Sequence, residues 1–266
     1  MAHFPAARRP VPQPRLAPAP IIAIASGKGG VGKTWLSTTL ACLYGRQGKR
    51  TLLIDGDLGL ANADVQLGVR PQTDIAAVLR GFVAVEAAVT PIYGGPGRSG
   101  FDLLSGHSGS GVLANPSEDE LTRLLGALGE IAQRYDRVVL DLSAGIDRVT
   151  MAMARAADRV LVVTTEEPTA LTDAYAFIKV FAPQSQARTP HVAVNMADKR
   201  LSGRRIYDQL AKACETYLNV RPPLAGIIQR DPAVPDCIRA QTALPVRHAT
   251  SVALDDAMRV AESLSG

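Results

Sequence analysis

Apolar residues in this chain come in short unbroken runs, separated by longer stretches with helical spacing. The runs at 21–25, 51–54, 101–104, 137–140, 159–163, 191–194 and 224–228 are rich in Val, Ile and Leu. A strand that is apolar on both sides is buried on both faces, the habit of parallel sheets covered by helices. Between them, 33–47, 118–134, 170–181 and 202–217 read as helices, and 252–264 closes the chain as an amphipathic one. The pattern predicts an α/β fold: a doubly wound, mostly parallel sheet of about seven or eight strands in a single domain. Six prolines at positions 5, 10, 12, 14, 18 and 20 remove backbone donors and block helix formation. Residues 1–20 are therefore expected to be a disordered Pro-rich tail, and 21–266 the folded domain.

Composition narrows the picture. A chain of 266 residues, 47% hydrophobic, can bury one sizeable core. Its three cysteines, Cys42, Cys214 and Cys237, form no C-x-x-C pair, which argues against a disulfide framework and a cysteine-ligated cluster. No apolar run reaches about 18 residues and the N-terminus lacks a signal-peptide core, so a soluble, cytoplasmic protein is expected. The net charge of +4 is small. One basic cluster, Lys199, Arg200, Arg204 and Arg205, is too slight to make nucleic acid an expected partner.

Candidate chemistry starts where the first strand ends. Gly27-Lys28-Gly29-Gly30-Val31-Gly32-Lys33-Thr34 fits G-x-x-x-x-G-K-[ST], follows a strand and opens a helix. Glycines let the loop wrap phosphate oxygens with its backbone N–H groups, and the helix N-terminus adds a favourable dipole. Lys33 would neutralise β- and γ-phosphates, and the Thr34 hydroxyl would ligate Mg2+. Trp35 follows directly and is counted with the nucleotide-binding residues. The expected cofactors are ATP and Mg2+. Two further strands end in acids, Asp55-Gly56-Asp57 and Asp141, where a Mg2+ ion or its waters would be held. Turn or helix capping is the rival reading of these acids. Asn195, after the strand at 191–194, either hydrogen-bonds an adenine edge or forms a turn.

The segment K-G-G-V-G-K-T resembles the deviant Walker A loop of the MinD/ParA family, and the resemblance covers nearly all of 20–264. It implies that Lys28 reaches a partner subunit's nucleotide, making ATP the glue of a homodimer. I-D-G-D-L-G-L-A-N-A-D at 54–64 resembles the family's switch I. By that match Asp57 activates the attacking water and Asp55 supports the Mg2+ shell. Asp141 matches the Walker B aspartate, with 143–146 as switch II, although Leu142-Ser143 departs from the family's usual pair. Asp231 falls where the family's last base-contacting loop begins. T-T-E-E-P-T at 164–169, the D-A-Y and I-K that follow, and Asn195-Met196 are similar to the flagellar-number regulator group (FlhG/FleN).

That likeness implies a slow, regulatory ATPase controlling flagellar number, placement or assembly. A DNA-partitioning or division-site-positioning ATPase of the same superfamily is the alternative. Implied partners are a second copy, a signal-recognition-type flagellar GTPase, and basal-body or transcriptional proteins. Weak membrane contact at the inner face of the cell pole is also implied. Departures from the group are Glu166 in place of the usual Pro, and a first segment lacking the group's GTPase-stimulating motif.

Overall fold

The computed structural model describes residues 20–95, 99–106, 116–182 and 189–265. The Pro-rich stretch at 1–19 lies outside the described residues. Eight strands form one sheet: β1 Ile21–Ser26, β2 Thr51–Gly56, β3 Val89–Ile92, β4 Phe101–Leu104, β5 Arg137–Ala144, β6 Arg159–Thr164, β7 His191–Ala197 and β8 Leu224–Gln229. Their order is β3-β4-β2-β5-β1-β6-β7-β8, and every pairing is parallel except β3 with β4. β3 has no counterpart in the apolar-run reading. It has four residues, includes Pro91, and sits at the sheet edge, where a missing N–H costs no ladder bond.

The longer helices are α1 Lys33–Arg46, α4 Glu118–Ala132, α5 Arg148–Ala156, α6 Pro168–Phe181, α7 Arg200–Leu218 and α10 Val252–Ser263. The short ones are α2 Ala63–Leu67, α3 Ile75–Leu79, α8 Ala233–Arg239 and α9 Leu244–Arg247. Helix starts follow local chemistry. Ser117 and Glu120 form a reciprocal capping box on α4, Asp147 accepts from Val149 N and Thr150 N on α5, and Pro168 sits in the first turn of α6.

Strand alternation sorts the core into two layers. In β1, Ala23 and Ala25 join the side packed by α4–α7, whereas Ile22 and Ile24 join the side packed by α1 and α10. Central strands buried on both faces leave polar side chains few places except the strand ends, and the candidate residues collect along the C-terminal edge of β1, β2, β5, β6, β7 and β8. No helix among the described residues is long and apolar enough to cross a membrane. All three cysteines are free and buried.

Candidate functional site

The turn between β1 and α1 is wedged between two other elements, and two glycines make this possible. A Cβ on Gly27 would stand 2.1 Å from the Asp173 carbonyl oxygen on α6. One on Gly32 would stand 2.4 Å from Asn195 Nδ2, and Gly32 also holds φ 90°. Asn195 Nδ2 donates to the Val31 carbonyl at 2.8 Å, and Ser26 Oγ donates to the Lys28 carbonyl at 2.7 Å. The loop is thus pinned by its neighbours before any ligand arrives, and its cradle is the kind that closes around phosphate oxygens.

Lys33, at the first turn of α1, is partly buried. Desolvation lowers its pKa, and the negative charges of Asp141, Asp57 and Asp55 oppose that shift. Asp55 and Asp141 are register partners on β2 and β5, 1% and 2% exposed. Both strands run on past these acids, to Gly56 and Ala144, which corrects the expectation that the strands end there. Burial raises both carboxyls well above the ordinary range, and repulsion from Asp141 adds to the rise at Asp55. Asp141 is steadied by hydrogen bonds from Thr34 and from Ser37 Oγ at 3.0 Å. Asp55 accepts from Asp57 N, Asn62 N and Ala63 N at 3.1, 3.0 and 2.9 Å. Asp57 accepts from Gly59 N and Leu60 N at 3.2 and 2.9 Å, so it also shapes its own loop.

This donor set suits a small hard cation. The described residues hold no group of three His, Cys, Asp or Glu able to ligate a metal alone. Thr34 and the acids offer oxygens, the ligands Mg2+ takes together with water and phosphate. Asp55 and Asp141 are costly without a cation, and that cost has a sign. Between the ordinary carboxylate pKa near 4 and the raised native values, the folded chain holds more protons than the unfolded one. Ligand-free stability therefore falls as pH rises through that window. The acids held low, such as Asp236 and Glu120, act below it, and His191, lowered by burial, opposes the two raised acids inside it. The ligand-free chain is expected to melt at a higher temperature at about pH 5.5 than at about pH 7.5, with saturating Mg2+–nucleotide narrowing the gap. A ligand-free melting temperature climbing steadily over that range would contradict it.

Two hollows flank the loop. One, of about 610 Å3, is lined by Trp35, Asn195, Met196, Arg230, Asp231 and Ile238 among others. Asn195 lies inside β7 and is 3% exposed, so the turn reading of this residue is overturned. Asp231 follows β8 and accepts from Ala233 N at 2.8 Å and Ala253 N at 3.1 Å. Trp35 is 3% exposed on α1. The other hollow, of about 430 Å3, is lined by Lys28, Gly29, Gly30, Glu166, Glu167 and Arg230 among others. Here Lys28 Nζ donates to Glu167 at 2.6 Å and to Thr169 Oγ at 2.9 Å.

The structure therefore gathers Gly27–Thr34, Asp55, Asp57 and Asp141 around one cradle, and sets Trp35, Asn195 and Asp231 around the larger hollow beside it. Sequence reasoning missed Ser37, although it lies one helical turn after Thr34 and was within reach of that spacing. It also missed the contacts of Glu167 and Thr169 with Lys28, more than 130 residues away, for which no local signal exists.

The family profile described as the CobQ/CobB/MinD/ParA nucleotide binding domain matches residues 22–243. The antiactivator FleN of Pseudomonas aeruginosa is 35% identical over 227 residues, 85% of this chain and 79% of that protein. The flagellum site-determining protein YlxH of Helicobacter pylori is 36% identical over 201 residues, 74% of this chain and 65% of that protein. Among solved structures, MinD of Pyrococcus horikoshii complexed with Mg-ADP superposes with a TM-score of 0.75 at 23% identity, covering 93% of this chain and 96% of that one. MinD in the MinC:MinD complex of Aquifex aeolicus also gives 0.75, at 26% identity, covering 92% and 95%.

Proposed function

Because the chain belongs to the CobQ/CobB/MinD/ParA nucleotide-binding family, we propose that it is an ATP- and Mg2+-dependent switch that dimerises on ATP, hydrolyses it slowly, and regulates flagellar number or placement. The observation that carries the chemistry is the cradle itself: a pinned glycine loop with Lys33 at its base and two buried, register-paired acids beside it. Main-chain amides of 27–34 receive the phosphates, and Lys33 balances their charge. Thr34 would hold Mg2+, with Asp55 and Asp141 beside it to steady the ion. Bound Mg2+ supplies charge neutralisation at the β- and γ-phosphates. Asp57, held by the Gly59 and Leu60 amides, orients the attacking water. Positioning a water without an arginine finger gives slow turnover.

The larger hollow takes the base. Asn195 donates Nδ2 to the Val31 carbonyl, so its Oδ1 is left as an acceptor for a base amino group, which adenine has and guanine lacks at the six position. A flagellar role is favoured by the likeness to FleN and YlxH, the latter over 65% of its own length. The partitioning alternative needs a basic face. Two members of the basic cluster are already paired, Arg200 with Asp256 and Arg204 with Asp208.

The test is genetic. Deleting the gene in the organism that carries it should change the number of flagella per cell, and the parent sequence should restore it. Asp57→Ala, expected to bind ATP without turning it over, should fail to restore it. An unchanged count after deletion would reject the flagellar role.

A further inference from the structure

We propose that Asp256, on α10, is a positioning residue for the base end of the nucleotide site. The inference rests on the reading of the larger hollow as the base pocket. The Asp256 side chain is fully buried. Its Oδ2 accepts from Gln229 N at 3.1 Å and Gln229 Nε2 at 3.4 Å, and its Oδ1 accepts from Arg259 at 2.7 Å and from Arg200. Gln229 is the last residue of β8, and Arg230, Asp231 and Pro232, directly after it, wall the hollow. Arg200 opens α7 two residues beyond Asp198, which also lines the hollow. One carboxylate on α10 thus fastens the end of β8 and the start of α7 under one pocket.

The sheet gives this wall one direct anchor, Arg230 N donating to the Ala197 carbonyl of β7 at 2.8 Å. β8 is the edge strand, paired only with β7, and their register shifts between Val194 and Ala197, beside the hollow. Two acids add a second anchor by tying it to α10. Asp256 grips Gln229, and Asp231 reaches from the wall to Ala253 N in the first turn of α10. A carboxylate withdrawn from water is retained only where its partners repay the desolvation. Here the partners are the pocket wall and the flanking helix. Asp256 is not what docks α10. Ala253, Leu254, Ala257, Val260 and Ala261 bury its apolar face, and Tyr44 donates to the Ala261 carbonyl. Losing the carboxylate would loosen the wall and leave the helix in place.

The experiment titrates the full chain, with Mg2+, against ATP, GTP and tripolyphosphate. Tripolyphosphate reports the cradle without the base pocket. The parent is expected to bind ATP more tightly than tripolyphosphate. Asp256→Asn should lose about tenfold in ATP affinity, bring the ATP-to-GTP ratio closer to one, and leave tripolyphosphate within about twofold. ATP and tripolyphosphate weakening in equal proportion, or neither changing, would overturn the inference and leave Asp256 as an ion pair that only holds the fold. Should Asp256→Asn fail to fold, Arg200→Gln removes one arm from a half-exposed side chain. It should move the ATP-to-tripolyphosphate ratio in the same direction, and an unchanged ratio overturns the inference. A parent that binds tripolyphosphate as well as ATP overturns the base-pocket reading and this inference with it. A parent that prefers ATP beside unmoved variants overturns the inference alone.

Discussion

Lys33→Ala is expected to weaken ATP binding by about 100-fold or more. A charge-assisted hydrogen bond is worth about 1.5–3 kcal/mol, and each 1.4 kcal/mol is tenfold in affinity. Lys33, with three ammonium donors, would make more than one such bond, and its charge is felt by Asp141, Asp57 and Asp55. Its pKa is pulled down by burial and pushed back by Asp141, Asp57 and Asp55, so its charge is already engaged with the acids before nucleotide arrives. Removing it takes a partner from the phosphates and leaves the carboxylates facing them, so repulsion adds to the lost attraction. Calorimetric titration with Mg2+–ATP measures the effect, and a melting curve confirms that the variant folds. ATP affinity within a few-fold of the parent would remove the phosphate cradle from this loop.

Lys28→Ala is expected to do the opposite: bind ATP nearly as the parent does, yet stay monomeric. In the single chain the Lys28 ammonium rests on Glu167 and Thr169 at the start of α6. Both members of the ion pair are open to solvent, 36% and 66% exposed. A solvent-screened pair of this kind holds weakly, so the lysine is free to leave it for the cross-subunit phosphate that the proposed dimer would supply. Light scattering with Mg2+–ATP reads the outcome. The parent should shift to twice its mass, and Lys28→Ala should remain at the mass of one chain. An ATP-dependent dimer formed normally by the variant would end the cross-subunit role.

These two lysines also mark the reach of sequence reasoning. Lys33 sits in a contiguous motif whose flanking strand and helix are themselves local patterns, so loop, strand and helix were readable together. Lys28 was singled out by the same eight residues, but the side chains that hold it in the monomer come from the start of α6. Asn195 shows the same divide. Its place near the end of an apolar run was visible. That its amide braces the Val31 carbonyl depends on β7 lying two strands from β1, with β6 between them. β3 escaped notice because a four-residue antiparallel edge strand carrying Pro91 has neither the length nor the apolar run that marks a strand.

From the chain of residues alone came the parallel sheet, the candidate phosphate loop and the acids proposed to serve it. Each is written in short-range spacing: runs apolar on both faces, glycines at fixed offsets, an acid near the end of a buried run. Only the folded molecule decided that Asp55 and Asp141 stand side by side inside paired strands, and that Lys28 is parked on Glu167. The same holds for the edge of β8, which is steadied by a carboxylate on the last helix. Those relations join residues many tens of positions apart, and they exist because strand order and helix docking bring distant segments into contact. No local periodicity encodes that order.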